Sequence, residues 1–265
     1  MRVILTGASM GIGEAAARAF AREGARLALV ARKRDLLDRV AAEVKSLGGD
    51  AVCIPADLSR PEDTARVVPE AIAALGGVDV LVNNAGLGMA ATFDQMKIDD
   101  LRYLMEVNLF SPVALMQAVL PHFRAQGGGV IVNVSSVVSK IALPTASGYS
   151  ATKFALNGIS DASRVELGPD GIRIATLCPG RVETPFHENV RGDLRKPKAP
   201  GGWRPEAVAD AIVAAAKNPP RERVLGLANK TFVGIAQLSP GFMHWALGRA
   251  YARYRKQNVE PGQGR

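Results

Sequence analysis

Short apolar runs rich in β-branched residues alternate along this chain with longer segments of helical period, and this alternation constrains the fold most. The runs are RVILT (2–6), RLALVA (26–31), AVCIPA (51–56), VDVLVN (78–83), GVIVNVS (129–135), IRIATLC (172–178) and RVLGLA (223–228). Helical stretches fill 11–23, 34–47, 62–75, 97–126 with a break near Pro112, 149–167 and 205–217. A strand apolar almost throughout is buried on both faces. The pattern therefore predicts an α/β fold: a single-domain, doubly wound parallel sheet of about seven strands with helices on both faces. Such sheets bind ligands at the carboxyl ends of their strands, so the chemistry is expected just after each run.

Composition narrows the partners. A chain of 265 residues suits one domain with a sizeable core. Lys and Arg number 33 against 25 acidic residues, a formal charge of +8. That surplus favours a phosphorylated cofactor, an acidic protein or a lipid headgroup. No basic run is interleaved with aromatics, which make up 5%, so nucleic acid is not expected. Cys53 and Cys178 lie in apolar runs, which predicts no disulfide framework and a reducing compartment. His122, His187 and His244 show no metal-ligand spacing, and no metal is expected. The first strand follows Met1 at once, and no uninterrupted apolar stretch reaches the ~18 residues of a membrane span. A cytoplasmic location is the expectation.

Four motifs follow the strands in order. TGASMGIG (6–13) places Gly7, Gly11 and Gly13 between the first strand and a helix, where bare backbone N–H groups can approach a pyrophosphate. After the second strand, Arg32, Lys33 and Arg34 stand where an NAD site wants a carboxylate, which favours the 2′-phosphate of NADP(H) over NAD(H), with Arg32 the leading contact. Asp57 either accepts a bond from the adenine amino group or caps a turn. NNAG (83–86) closes the fourth strand; its Asn side chains can tie strands together, while Ala85 and Gly86 leave room for a flat ligand. NVSS (133–136) ends the fifth. SGYSATKFAL (147–156) then sets Tyr149 and Lys153 on one helix face among small side chains. By itself such a pair reads first as a surface pair on an exposed helix.

Taken together, TGASMGIG, NVSS, NNAG and YSATK resemble the short-chain dehydrogenase/reductase family over roughly residues 1–190. The resemblance implies a Rossmann-like domain and an enzyme acting on CH–OH/C=O groups with NAD(P). It makes Tyr149 the acid/base. Lys153 is its activator and a ligand of the nicotinamide ribose, its ammonium expected, together with the positive nicotinamide of the oxidised cofactor, to lower the phenol's pKa. The family's usual spacing selects Ser136 rather than Ser135 to polarise the substrate oxygen. Asn108 completes the tetrad, bending its helix and holding a water as proton relay. In CPGRVETP, Pro179 and Gly180 shape a turn at the cofactor, and Val182 and Thr184 meet the nicotinamide carboxamide. The remaining implied cofactor contacts are Gly7, Ser9, Met10, Gly11, Ile12, Gly13, Asp57, Leu58, Asn84, Ala85 and Gly86. The small Ser150, Ala151 and Thr152 are expected to let cofactor and substrate crowd against the helix.

The segments bordering the substrate offer Leu87, Met89, Phe93, Val138, Ile141, Leu143, Pro144, Phe186 and Trp203, with Arg191, Arg195, Lys196 and Lys198 as cations. A hydrophobic carbonyl or alcohol is expected. Alternatives are a 3-oxoacyl-[acyl-carrier-protein] reductase and a non-catalytic NADPH-binding regulator. The division expected is 1–228 for the dehydrogenase domain and 229–265 for a helical extension whose tail, NVEPGQGR, is disordered. This ending departs from the commoner family pattern, which puts a tetramer in doubt and leaves a homodimer through helices 109–126 and 150–167. Met243, Leu247, Tyr251 and Tyr254 form one stripe of the extension, and Arg249, Arg253 and Lys256 another. With Phe242 and Trp245, residues 240–256 read either as a peripheral membrane contact or as packing over the substrate cleft or a partner subunit.

Overall fold

The computed structural model describes residues 1–186, 190–194 and 201–258. Its strands are β1 (Arg2–Thr6), β2 (Arg26–Ala31), β3 (Asp50–Pro55), β4 (Val80–Asn83), β5 (Gly129–Val134), β6 (Ile172–Cys178) and β7 (Glu222–Val224). They form one sheet in the order β3-β2-β1-β4-β5-β6-β7, every neighbouring pair parallel. The helices are α1 (Gly11–Ala21), α2 (Arg34–Ser46), α3 (Pro61–Leu75), α4 (Ile98–Met105), α5 (Ser111–Ala125), α6 (Ser147–Leu167), α7 (Pro205–Lys217), α8 (Leu227–Leu238) and α9 (Pro240–Asn258).

The two-residue period of the strands divides the core. Val3, Leu5, Leu27 and Leu29 face α1, α2 and α7 through Phe20, Leu37, Val40, Val208 and Ile212. Ile4, Ala28, Val30 and Leu81 face the other way, onto Val67, Leu75, Leu115 and Phe123 of α3 and α5. Both faces of the sheet are therefore dry, at ~1.5–3 kcal/mol for each large side chain buried, which is why the strands read as unbroken apolar runs. The stretch Ile98–Ala125 has the length and mean hydropathy, 1.3, of a membrane-crossing helix, yet half of its apolar window is buried inside the fold. It is a core element.

Two expected boundaries move. The irregularity in the long helix is a π turn over Glu106–Phe110, centred on Asn108, and Pro112 merely enters α5 at its start. The last strand ends at Val224, since Gly226 turns at φ +89 and Leu227 already opens α8. α8 and α9 fold back: Val233 and Met243 bury against Ile141, with Leu143, Phe232 and Leu247 around them. The expected tail beyond Asn258 lies outside the described residues.

Candidate active site

The carboxyl ends of β1, β4, β5 and β6 open on one cavity of about 540 Å³. It lies where the strand order reverses between β1 and β4. Of the residues singled out for cofactor or catalysis, all but Arg34 and Asn108 line it.

Its floor at one end is bare backbone. Gly7 and Gly11 take left-handed conformations, φ +66 and +59, that disfavour any side chain. A Cβ added to Gly13 would stand 2.0 Å from the Gly7 carbonyl oxygen and 2.8 Å from Asn84 Nδ2. Asn84 in turn donates to the Thr6 carbonyl at 2.9 Å, locking the end of β4 to the turn. Ser9, Met10 and Ile12 complete this wall. The cradle sits at the N-terminus of α1, which favours a pyrophosphate. Further along, Arg32 and Lys33 line the cavity, and among the described residues no carboxylate pairs with either. Arg34 differs: it is the first residue of α2 and its guanidinium holds Asp38 at 2.9 Å on the exposed surface. Asp57 lines the cavity with Leu58, while its Oδ1 accepts from Ser59 N and Oγ at 3.0 and 2.8 Å. It caps a turn and borders the cavity at once. These groups fit a phosphorylated dinucleotide.

At the other end stand Ser136, Tyr149 and Lys153, with Pro179, Gly180, Val182 and Thr184 after β6. Lys153 is buried, and its Nζ donates to the Val134 carbonyl at 3.0 Å and lies 5.9 Å from the centre of the Tyr149 ring. An exposed pair these two are not. Burial pushes the Tyr149 phenol up to about 12, against a hydrogen bond with Ser136 that pulls it down. Burial also pushes Lys153 down to about 8. Among the protein's own groups, desolvation of the charged form sets the direction, while the expected lowering draws also on the positive nicotinamide of the oxidised cofactor. Ser135 also faces the cavity, and its buried hydroxyl has no partner among the described residues.

Asn108 sits behind this end. Its Oδ1 accepts from Leu87 N at 2.8 Å, and its Nδ2 donates to Leu87 O and Thr152 Oγ1 at 2.9 and 3.1 Å. The amide therefore clamps the Leu87 backbone to α6. Of the small residues beside the tyrosine, Ser150 and Thr152 serve the same packing and Ala151 is exposed. Ser150 and Thr152 are buried between elements, and neither they nor Ala151 line the cavity.

On the substrate side, Leu87, Met89, Val138, Leu143 and Phe186 line the wall as expected, and Phe186 packs against Tyr149 with ring centres 5.9 Å apart. Phe93, Ile141, Pro144 and Trp203 do not line it. Phe93 is 81% exposed, Ile141 packs under α9, and Trp203 lies against Gly226 beside a separate cavity. Sequence reasoning missed Tyr103, Val107 and Val190. The spacing of Tyr103 and Val107 was a readable sign of one helix face, obscured by the π turn. Arg191 is engaged: it pairs with Asp100, and its guanidinium stacks 3.9 Å over the Tyr103 ring. Arg195, Lys196 and Lys198 lie outside the described residues.

A family model described as short chain dehydrogenase matches residues 1–195. The chain belongs to that family. This short-chain dehydrogenase/reductase is 34% identical over 245 residues to the ketoacyl reductase HetN of Nostoc sp., covering 90% of this chain and 85% of HetN. It is 40% identical over 184 residues to 11-beta-hydroxysteroid dehydrogenase-like 2 of Arabidopsis thaliana, covering 69% of this chain and 59% of that protein. Among solved structures, the alcohol dehydrogenase from the archaeon Thermococcus sibiricus complexed with 5-hydroxy-NADP is similar at a TM-score of 0.75 and 34% identity, over 84% of this chain and 94% of that one. The short-chain dehydrogenase/reductase is accordingly an enzyme acting on CH–OH or C=O groups with a nicotinamide dinucleotide, which sets aside the non-catalytic reading.

Proposed function

We propose that this enzyme is NADP(H)-dependent and acts on the carbonyl or secondary alcohol of a hydrophobic substrate, with Tyr149 as acid/base. One observation carries the reading: Ser136, Tyr149 and Lys153 close one end of a cavity whose other end is the glycine cradle with Arg32 and Lys33 beside it. The dinucleotide, when bound, supplies or accepts the hydride. The chain's part is to place and to move a proton. Tyr149 gives a proton to the substrate oxygen in reduction and takes it back in oxidation; Ser136 holds that oxygen. Lys153, fixed on Val134, lends its charge to the phenolate and a donor to the ribose. Val182 and Thr184 orient the carboxamide, and Leu87, Met89, Val107 and Leu143 exclude water from the reacting centre. Asn108 is a positioning residue acting through Leu87 and α6. The division near residue 228 into a catalytic unit and a helical extension belongs to this proposal. So does a cytoplasmic homodimer paired through α5 and α6, supported by the exposed Phe110 and Phe154 there.

Arg32→Ala is expected to lower the NADPH/NADH ratio of kcat/KM by about one to two orders of magnitude, the worth of a charge-assisted contact of ~1.5–3 kcal/mol. An unchanged ratio removes Arg32 as the phosphate contact.

The pH profiles of the two directions should differ. With Tyr149 held up to about 12, the acid for reduction is protonated throughout the working range. Reduction is therefore expected to stay level and to fall once Lys153 loses its charge above about 8. Oxidation needs the phenolate, so its rate should climb with pH by up to about tenfold per unit until Lys153 loses its charge above about 8. Initial rates from about pH 6 to about pH 10 in both directions check this; a flat oxidation profile contradicts it.

Similarity to HetN supports a second reading, reduction of 3-oxoacyl chains on an acidic carrier protein. Assaying NADPH and NADH with a panel of free carbonyls, alcohols and carrier-bound 3-oxoacyl groups separates the two. Turnover confined to carrier-bound chains favours the second, and turnover only on small polar sugars overturns both.

A further inference from the structure

We infer that the outward face of α8 and α9 docks this enzyme on an anionic lipid bilayer surface. From 227 to 258 the chain has Lys230, Arg249, Arg253, Arg255 and Lys256 and no Asp or Glu, so five of its formal charges of +8 collect in its last two helices. Lys230, Arg249, Arg253 and Lys256 are exposed and have no carboxylate partner among the described residues. Beside them stand large apolar groups that the fold leaves in the open. Leu238 is 89% exposed at the turn between the helices, and Phe242 and Trp245 are each 54% exposed one turn later.

The helix is two-sided. Met243 and Leu247 face inward onto Ile141 and Val233. Phe242, Trp245, Arg249, Arg253 and Lys256 recur every three or four residues and share the outer face, aromatic at its start and basic towards its end. Phe242 stacks on Trp245 at 5.8 Å, and the Arg249 guanidinium lies 5.0 Å from the Trp245 ring. A merely solvated helix has no use for Leu, Phe and Trp in the open, and a face packed on another apolar protein surface would bury its cations without partners. A bilayer interface takes both, rings among the headgroups and cations on the phosphates. Leu143 lines the active-site cavity and touches the cluster under α9, so the inner side of α9 borders the substrate end. Direct uptake of an apolar substrate from the lipid follows only on the hydrophobic-substrate reading; the docking itself stands without it.

The full-length protein should co-sediment with vesicles containing about a third phosphatidylserine, and not with pure phosphatidylcholine, and binding should drop at least tenfold at about 0.5 M salt. R249E/R253E/K256E is expected to weaken partitioning by about a hundredfold or more, three cations at roughly fivefold each. F242S/W245S should weaken it at least tenfold, while both variants reduce a water-soluble carbonyl at the wild-type rate. No binding to phosphatidylserine vesicles overturns the proposal. So does vesicle binding indifferent to F242S/W245S, which would leave the aromatic face out of the lipid contact. A fall in molar mass of F242S/W245S by light scattering would assign the face to a second copy of the chain, again against it. Vesicle binding is read without substrate, so its failure is distinct from failure of the hydrophobic-substrate reading.

Discussion

Tyr149→Phe is expected to lower kcat by about a thousandfold while leaving the affinity for NADPH within about twofold. General acid–base groups contribute roughly 10²–10⁴ to a rate, and a thousandfold corresponds to about 4 kcal/mol of the barrier. The substitution removes one oxygen and little else. The ring still packs on Phe186, and Lys153 keeps its bond to the Val134 carbonyl, so cradle and cavity walls stay in place. On the proposed mechanism the phenol gives its proton to a carbonyl oxygen beside Ser136, and burial keeps it protonated up to about 12. Stopped-flow or steady-state absorbance of the reduced nicotinamide measures kcat, and quenching titration measures cofactor affinity. Wild-type turnover in Tyr149→Phe would sink the mechanism. Loss of both activity and cofactor binding would mean that the variant had not folded, and thermal unfolding distinguishes that case.

The second large effect is expected at Gly13→Ala. The new Cβ would meet the Gly7 carbonyl oxygen at 2.0 Å and its carbon at 2.7 Å, both main-chain atoms of a turn held at φ +66. Neither can swing aside as a flexible side chain would, so α1 must shift away from β1 and the cradle opens. Overpacking of this kind costs on the order of 1–3 kcal/mol in stability. The effect on the ligand should be larger, because the backbone N–H groups that would meet a pyrophosphate all belong to the displaced turn. A loss of at least a hundredfold in NADPH affinity is expected, together with a drop of several degrees in Tm for a domain of this size. Gly234→Ala in α8 is the control. Nothing lies within 4 Å of its added Cβ, and a helical Gly→Ala change should be neutral or gain up to about 1 kcal/mol. NADPH binding undiminished in Gly13→Ala would show that the cofactor does not sit at this end of the cavity.

Much of this enzyme is encoded within a few residues of chain. A strand buried on both faces must be apolar throughout, so RVILT and IRIATLC announced β1 and β6 to the residue. The glycine turn is legible for a related reason: left-handed backbone at Gly7 and Gly11 and the tight contact at Gly13 exclude side chains, and that exclusion is written as glycine. Tyr149 and Lys153 needed only helical spacing to be placed on one face.

What depends on partners far along the chain was decided by the tertiary structure alone. Asn108 turned out to clamp Leu87 to α6 because the π turn rotates its amide onto a loop twenty-one residues away. Arg34 left the cofactor cavity because the phase of α2 aims it at Asp38. Ser150 and Thr152 proved small for the sake of neighbouring helices, since α6 turns them away from the cavity. The upward push on the phenol comes from the water that folding removes, which a sequence cannot count. Residue type and spacing fix what a side chain can do within one turn of helix or one strand. The direction it points and the medium around it come from packing, and only the folded chain has those.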